Sequence, residues 1–377
     1  MTVAECAAGF SFLMTGAQVL STGVAAVRCR RIHDAVPVPD DAPSVSLMRP
    51  VCGLDNFAEE TLRSSFTLNY PRYELLFCCD RADDPVLPTI RRLIAAHPSI
   101  PSRILIGLDE ISVNPKLNNC VKGWHGAAHD WIIMADSNVL MPPDYIQRLL
   151  KRYRPDTGLV CSTPIGSHPD GFWAEIECGF LNTLQARWQY AAEAIGFGFA
   201  QGKSMLWHRA TLDRHGGIAA LGAEIAEDAA ATKLVRRQGL KVGLVDNPFE
   251  QPLGRRSFAE VWGRQLRWSR LRRVTFLPFF LLEIFTGLLF PSLAAAYAAS
   301  AFGYDPVLAG LLVAAIWLAA EAVLAQSAGW RMTLASPFIW LFRDCMLPFL
   351  FTTALLTNDF VWRGNEMTVK EEEAKLS

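Results

Sequence analysis

The sequence predicts an α/β domain with a mostly parallel sheet, placed between an N-terminal transmembrane anchor and C-terminal membrane helices. Three observations lead to this fold class. No charged residue occurs from Cys6 to Val27, apolar stretches dominate from Phe276 to about Thr357, and short apolar runs alternate with helical patterns in between. Such alternation is typical of parallel sheets that are covered by helices on both faces.

The composition agrees with this division of the chain. Of the 377 residues, 51% are hydrophobic and 19% are charged, whereas soluble domains hold about 25% charged residues. The charge deficit is confined to the apolar stretches. The segment between them has an ordinary content of charged residues and is long enough for one substantial domain. The net charge is −1, which provides no overall field for binding nucleic acid.

The N-terminal segment is predicted to be an uncleaved transmembrane anchor over residues 1–31. Glu5 precedes the uncharged run and Arg28, Arg30 and Arg31 follow it, whereas a signal peptide has the opposite charge order. The run is long enough for a span, which takes about 20 residues. Because arginines are typical of cytoplasmic flanks, we expect an integral membrane protein whose catalytic domain lies on the cytosolic face.

The central domain is predicted over residues 44–256, after a proline-rich linker. Its predicted strands are Val45–Met48, Glu74–Cys79, Arg103–Leu108, Trp131–Ala135, Gly158–Thr163, Ser204–His208 and, as the last strand, Lys241–Val245. Its predicted helices are Glu59–Phe66, Pro88–Ala96, Lys116–His129, Trp173–Gln189 and Asp228–Gln238. In such sheets ligands bind beyond the carboxyl ends of the strands.

The rest of the chain is predicted to contact the membrane. Residues 257–275 have the pattern of an amphipathic helix at the membrane interface, and 276–358 form the membrane helices, ahead of a polar tail at 359–377. The predicted membrane segments are Leu277–Ala299, Val307–Ala325 and Pro337–Thr357. They contain the charged residues Glu283, Glu321, Arg343 and Asp344. A charge in a bilayer core costs at least about 2.5 kcal/mol, so we expect these residues to pair, to face the protein, or to mark places where a segment only touches the membrane interface.

Aspartate and asparagine side chains follow two of the predicted strands. Asp80, Asp83 and Asp84 come after the second strand, and Asp136 and Asn138 come after the fourth. Asp136 and Asn138 are the predicted ligands of Mg²⁺ or Mn²⁺, because hard cations prefer oxygen ligands. The alternative for this triplet is a simple turn, and the alternative for the earlier acids is helix capping.

Two further positions offer a cation and a base. Lys116 can extend an ammonium toward a diphosphate, and the alternative is a solvated lysine in a loop. Asp228 begins a predicted helix, where the dipole lowers its basicity, and Glu227 beside it acts in the opposite direction. We predict that Asp228 is the general base, with helix capping as the alternative.

A cationic and aromatic group lies on the predicted interfacial helix. Arg264, Arg267 and Trp268 occupy positions i, i+3 and i+4 and therefore share one face. Two guanidinium groups and an indole can hold a diphosphate and stack on a sugar. Anchoring at lipid headgroups is instead expected of three later arginines: Arg270, Arg272 and Arg273.

The chain resembles the ceramide glucosyltransferase family of membrane-bound inverting GT-A glycosyltransferases, from about Val45 through the C-terminal membrane region. The resemblance rests on Asp83-Asp84-Pro85, Asn114-Pro115-Lys116-Leu117-Asn118-Asn119, Asp136-Ser137, Ile225-Ala226-Glu227-Asp228 and Arg264-x-x-Arg267-Trp268. It implies a GT-A nucleotide-sugar-binding domain with essential acids at Asp84, Asp136 and Asp228, the last as catalytic base. The predicted donor-binding residues are Asp80, Asp84, Lys116, Asn118, Asp136, Arg264, Arg267 and Trp268.

The resemblance also implies UDP-glucose as donor, ceramide as acceptor and glucosylceramide, formed with inversion, as product. Another UDP-sugar or another membrane lipid is an alternative within the class, as is a processive polysaccharide synthase, which would need a longer channel-forming set of helices. A membrane-anchored scaffold protein with a degenerate nucleotide fold is the alternative outside it. A transporter is disfavoured, because too few spans carry internal polar residues.

Overall fold

The computed structural model describes residues 1–31, 34–362 and 365–369. Within them the chain forms two compact units. The sheet unit comprises 34–168 and 192–254, and the helical unit comprises 1–31, 169–191 and the described residues from 255 onward. Each unit is therefore assembled from separate stretches of the sequence.

The main sheet lies in the sheet unit and has seven strands. In chain order, the strands of the described residues are β1 (Val45–Val51), β2 (Tyr73–Cys79), β3 (Ser102–Ile106), β4 (Trp131–Ala135), β5 (Thr157–Cys161), β6 (Ile165–Asp170), β7 (Ser204–His208), β8 (Lys241–Leu244), β9 (Glu250–Arg255), β10 (Asp359–Trp362) and β11 (Asn365–Thr368). Four of them form two separate pairs, β6 with β9 and β10 with β11. The strand order in the main sheet is β3-β2-β1-β4-β7-β5-β8. Only β7 runs antiparallel to its sheet neighbours, β4 and β5. The predicted α/β fold with a mostly parallel sheet is confirmed.

The helices are distributed over both units. They are α1 (Val3–Cys29), α2 (Ala58–Arg63), α3 (Leu87–Ala96), α4 (Pro115–Gly126), α5 (Tyr145–Arg152), α6 (Phe172–Gly179), α7 (Arg187–Ala194), α8 (Arg209–Asp213), α9 (Glu227–Arg237), α10 (Phe258–Thr275), α11 (Leu277–Glu283), α12 (Leu289–Ala301), α13 (Pro306–Ala328) and α14 (Ser336–Leu356). A π-helical segment, Phe180–Ala186, joins α6 to α7. Local signals set several boundaries. At α10, for example, Ser257 and Glu260 form a capping box.

The strands at the centre of the main sheet are buried and tightly packed. Every residue of β1 and β2 is buried, as expected for strands covered on both faces. Helix α4 packs so closely on the sheet that a Cβ added to Gly123 would lie 2.1 Å from Met48 Sδ and 2.5 Å from Cys78 Sγ. The small residue is therefore required by the close approach of the helix to the strands.

Among the described residues, three helices are long and apolar enough to cross a membrane: α1, α13 and α14. All three belong to the helical unit. Helix α13 has clear end signals, because Asp305 accepts hydrogen bonds from Val307 N and Leu308 N and Gly329 ends the helix at φ 69°. The core of this unit joins α6 and the π-helical segment to α10, α11 and α14 through Ile176, Phe180, Val261, Phe280 and Leu350.

Two predictions about element boundaries were wrong. The expected single span Leu277–Ala299 is divided into α11 and α12. The break includes Gly287, where a Cβ would lie 2.8 Å from Leu347 Cδ1, so α14 packs directly against the interrupted backbone. Lys241–Val245 was expected to be the last strand, but β9, β10 and β11 follow it.

The expectation that Arg270, Arg272 and Arg273 anchor lipid headgroups was also wrong. Arg270 donates to Thr357 O at 3.1 Å, and Arg273 donates to Ala354 O and Leu355 O at 2.8 and 2.7 Å. Arg272 pairs with Glu283. The last carbonyls of a helix lack intrahelical partners, so two of these arginines bind the carboxyl end of α14.

The charged residues in the other predicted membrane segments are paired, as expected. Arg343 contacts Glu321 at 2.8 Å and Asp344 at 2.7 Å, and all three side chains are fully buried. Thr183 donates to Glu321 at 2.6 Å. The helical unit therefore encloses an ion cluster, which we call the buried triad, formed by Glu321, Arg343 and Asp344.

Candidate active site

Four segments of the sheet unit converge at the carboxyl end of β4. Asp136 follows that strand, Lys116 lies in the first turn of α4, Gly202 precedes β7, and Glu227 and Asp228 begin α9. A Cβ added to Gly202 would lie 2.6 Å from Glu227 Oε1, 3.0 Å from Lys116 Nζ and 3.5 Å from Asp228 Oδ2. One point of the backbone is thus surrounded by three ionisable side chains.

Lys116 links two of the acids. Its Nζ lies 2.7 Å from Asp136 Oδ1 and 2.7 Å from Glu227 Oε1, and it donates to Gly202 O at 2.6 Å. Burial acts to lower the pKa of Lys116, but Asp136 and Glu227 outweigh burial and raise it. Lys116 therefore stays charged, and it joins the strand end to the helix start.

Asp136 is ionised for the same reason. Burial acts to raise the pKa of its carboxyl group, but the ammonium groups of Lys116 and Lys203 hold that pKa well below its usual range. Lys203 Nζ lies 2.9 Å from Asp136 Oδ2. Both carboxylate oxygens of Asp136 therefore contact an ammonium group.

Asp228 has the opposite electrostatic character. Burial and the neighbouring charge of Glu227 raise the pKa of Asp228 to about 7, although Lys116 acts to lower it. Its Oδ2 accepts a hydrogen bond from Gly202 N at 3.1 Å. A base works best when its pKa lies near the operating pH, and two nearby carboxyl groups with separated pKa values indicate distinct roles. This arrangement suits Asp228 to accept a proton.

Replacing Glu227 with glutamine is expected to shift the pH profile of the enzyme. In the wild type, kcat/KM should rise with pH through about 7 as Asp228 ionises. The substitution removes a like charge, so the pKa of Asp228 should fall and the acidic limb should move to lower pH. Initial rates between pH 5 and pH 9 measure this shift. An acidic limb that stays in place would show that Glu227 does not set the basicity of Asp228.

Replacing Gly202 with alanine is expected to reduce kcat/KM by about 10²-fold, because the methyl group would push apart Glu227, Lys116 and Asp228. The matched control is Gly243→Ala, since its nearest neighbours are 3.7 Å from the added Cβ. Steady-state kinetics with both variants measures the difference. Equal activity of the two variants would contradict the close convergence at Gly202.

The predicted metal ligands surround a position that holds an ammonium group. Lys203 Nζ donates to Asn138 Oδ1 at 3.1 Å and lies 2.9 Å from Asp136 Oδ2. The two oxygens suit a hard cation, yet as folded they do not leave room for one, because Lys203 lies between them. Lys203 was not predicted from the sequence. The available signals were its place directly before the strand β7 and the sequence Gly202-Lys203-Ser204, which resembles the end of a phosphate-binding loop.

Arg49 is a second residue that the sequence analysis missed. Its fully buried guanidinium donates to the carbonyls of Asp136 at 2.9 Å, Ser137 at 2.9 Å and Val139 at 3.0 Å. Burial lowers the pKa of Arg49 to about 10, so it remains charged at neutral pH. Arg49 therefore fixes the backbone that carries Asp136. A basic residue inside the apolar run of β1 was the available signal.

Two of the other predicted donor-binding residues of the sheet unit, Asp84 and Asn118, accept hydrogen bonds from the backbone. Asp84 accepts from Gly53 N and Val86 N, each at 2.9 Å, and ligand atoms of Cys79, Asp80 and Asp84 lie within 4.8 Å of one another. Asn118 accepts from Ile111 N and Ser112 N. Asp80 and Asp84 follow β2, two strand positions from β4 in the sheet. Their roles in donor binding stay predictions.

Arg264, Arg267 and Trp268 belong to the helical unit, on α10. Arg264 pairs with Glu177, a fully buried residue of α6. Arg267 and Trp268 are half-buried. Gln265, which lies between Arg264 and Arg267 in the sequence, accepts a hydrogen bond from Gln185 Nε2 at 2.7 Å. The face predicted from helical spacing exists, and its proposed role in holding a donor stays a prediction.

Comparison with a solved structure identifies the fold class of this chain. The chain is similar to a mannosyltransferase from Pyrobaculum calidifontis, determined in complex with GDP-Man and Mn²⁺, with a TM-score of 0.53 and 18% identity. The match covers 94% of this chain and 99% of the other. The two chains therefore share the α/β fold of the GT-A type.

The family follows from the sequence. The model of glycosyl transferase family 21 matches residues 13–375, and the chain belongs to that family. Ceramide glucosyltransferase 3 of Caenorhabditis elegans is 29% identical over 89% of this chain and 74% of its own length. Ceramide glucosyltransferase of Komagataella phaffii is 28% identical over 66% of this chain and 60% of its own length. The resemblance to the ceramide glucosyltransferase family is confirmed.

Proposed function

We propose that the protein transfers glucose from UDP-glucose to the primary hydroxyl of ceramide, with inversion, to yield glucosylceramide. The observation that carries the proposal is the juxtaposition of Asp136, ionised and bound to two ammonium groups, with Asp228, whose pKa is raised to about 7. The relatives named ceramide glucosyltransferase support the choice of substrates, and three helices of membrane-spanning length suit a lipid acceptor.

The proposed reaction is a single displacement. Asp228 accepts the proton of the acceptor hydroxyl as its oxygen attacks the anomeric carbon. The bond from that carbon to the β-phosphate oxygen breaks, and the electron pair leaves with UDP. Positive charge beside Asp136 stabilises the negative charge that develops on the diphosphate. Lys116 contributes to that charge and keeps Asp136 and Glu227 in place.

The remaining contacts to the donor are proposed from the sequence. Asp80 and Asp84 would bind the nucleotide, Asn118 would support the loop beside it, and Arg264, Arg267 and Trp268 would hold the diphosphate and sugar. Mg²⁺ or Mn²⁺ held by Asp136 and Asn138 is the alternative source of positive charge for the diphosphate, and it would require the Lys203 ammonium to leave its place between the two side chains.

The proposed membrane arrangement follows the predicted division of the chain. Residues 1–31 would anchor the protein, 44–256 would face the cytosol, 257–275 would lie at the interface, and 276–358 would contact the bilayer. The polar tail, 359–377, lies in part outside the described residues. The charge order around α1, with Glu5 at its start and Arg28 at its end, supports this orientation. A two-tailed lipid would then present its headgroup without leaving the membrane.

The experiment is a panel of UDP-sugars against a panel of lipids, with detergent-solubilised protein and product masses as the readout. We expect one glucose to be added to ceramide, with UDP release that depends on the lipid. The matched control for active-site acids is Asp156→Asn, since Asp156 is an exposed acid that pairs with Lys241 at 2.8 Å. Long glycan chains would indicate a polysaccharide synthase, and no turnover with any pair would indicate a binding protein.

A further inference from the structure

The Lys203 ammonium occupies a cation position in the active site. It lies 2.9 Å from Asp136 Oδ2 and 3.1 Å from Asn138 Oδ1. Asp136 and Asn138 are the metal ligands predicted from the sequence. An ammonium and a metal ion both present positive charge to oxygen ligands, so one can take the place of the other. Lys203 therefore competes directly with any divalent cation for Asp136.

The sheet topology fixes Lys203 in this place. Because β7 is antiparallel to β4, the first residue of β7 pairs with the last residue of β4, Ser204 with Ala135. The residues just outside that pair are Lys203 and Asp136, and Asp136 N donates to Lys203 O at 3.0 Å. The backbone contact brings the lysine side chain to the carboxylate without a flexible loop between them.

The two ammonium groups of the cluster already offset two of its carboxylates. The ammonium groups of Lys116 and Lys203 face the carboxylates of Asp136 and Glu227. A divalent cation bound to Asp136 beside Lys203 would add two positive charges next to an existing one and would be repelled. Without Lys203 the cluster would carry a net negative charge and would attract a cation.

The position of Lys203 is accessible to a substrate. Its side chain is 18% exposed and that of Asp136 is 21% exposed. Lys203 also lines a small pocket with Ser162, Thr163 and Gln251. Within the described part of the chain, the buried side-chain amide of Gln251 has no hydrogen-bond partner. The partial exposure of the Lys203 and Asp136 side chains leaves the Lys203 ammonium within reach of a bound diphosphate.

We propose that Lys203 serves as a built-in cation for the departing diphosphate, so that the protein transfers sugar without a divalent metal ion. The proposal rests on the proposed glycosyltransferase reaction. The acceptor oxygen forms a bond to the anomeric carbon, the bond from that carbon to the β-phosphate oxygen breaks, and the acceptor proton moves to Asp228. Lys203 keeps its proton throughout and balances the new charge on UDP.

The test combines Lys203→Met with metal removal. Wild-type protein in EDTA should retain glucosylceramide formation within about 3-fold of its rate with Mn²⁺. Lys203→Met in EDTA should lose about 10²–10³-fold, the effect of removing one stabilising group, and added Mn²⁺ should restore part of the rate. Lys203→Arg, which keeps the charge, should remain active in EDTA. Lys151→Met, at an exposed position of α5, is the control.

A binding measurement supplies the second readout. Electron paramagnetic resonance of Mn²⁺ in the absence of donor should show no bound ion in the wild type and one bound ion in Lys203→Met. A wild type that forms product only with Mn²⁺ and binds Mn²⁺ tightly would overturn the role of Lys203 and leave the proposed function intact. No product from the wild type under any condition would instead overturn the proposed function.

Discussion

Asp228→Asn is expected to lower kcat by about 10²–10⁴-fold, the usual contribution of a general base. The amide keeps the shape of the side chain but accepts no proton from the acceptor hydroxyl. Binding of UDP-glucose should change little, because in the proposed mechanism Asp228 acts on the acceptor. Single-turnover rates and donor affinity by calorimetry separate the two effects. Asp156→Asn, at an exposed acid, should leave both unchanged.

The stability of this variant provides an internal control. The pKa of Asp228 is raised above its ordinary value to about 7 in the folded protein. Asp228 therefore binds its proton more tightly in the folded protein than in the unfolded chain. Its contribution to the free energy of unfolding is therefore lost as the pH rises from about 4 to 7. Asp228→Asn should melt at or above the wild-type temperature at pH 8, with a smaller difference at pH 5. Full activity, or a lower melting temperature at pH 8, would contradict this account of Asp228.

Arg343→Met is expected to reduce the free energy of unfolding by about 3–5 kcal/mol, the typical cost of breaking a buried ion pair from one side. The substitution leaves Glu321 and Asp344 of the buried triad without their shared counter-ion, in side chains that are fully buried. Thermal unfolding in detergent measures the loss. The matched control is Arg331→Met, because Arg331 pairs with Glu175 at an exposed position, where an ion pair contributes at most about 1 kcal/mol.

A compensating variant tests the reason for that loss. Combining Arg343→Met with Glu321→Gln and Asp344→Asn removes both stranded charges, so much of the stability should return. If the combined variant is no more stable than Arg343→Met alone, packing rather than charge explains the effect. An unchanged melting temperature in Arg343→Met would show that the buried triad does not support the fold.

The sequence predicted secondary-structure elements well where the local pattern of apolar and turn residues was enough to define them. The strand Trp131–Ala135 was predicted with the observed bounds, because an apolar run between turn residues has few other readings. The span Leu277–Ala299 was predicted as one helix because composition alone does not reveal a break. The division at Gly287 depends on contact with Leu347 of α14, which is a tertiary effect.

The active site was harder to predict where it depends on strand direction and burial. Asp136 was found because it follows an apolar strand, but the orientation of β7 was not predicted, so the contact with Lys203 was missed. Arg270 and Arg273 were expected at lipid headgroups because arginines beside apolar segments usually lie there. In the structure they bind the carbonyls that end α14. Local sequence does not reveal which backbone groups need a donor.

The anomeric configuration of the product is the most direct measurement of the proposed mechanism. UDP-glucose carries its glucose in α linkage, so a single attack by a hydroxyl deprotonated by Asp228 should yield only β-glucosylceramide. Proton NMR of the lipid product formed from UDP-glucose and ceramide resolves the two anomers. A β-linked product that disappears with Asp228→Asn is the result we predict, and an α-linked product would contradict direct displacement at this site.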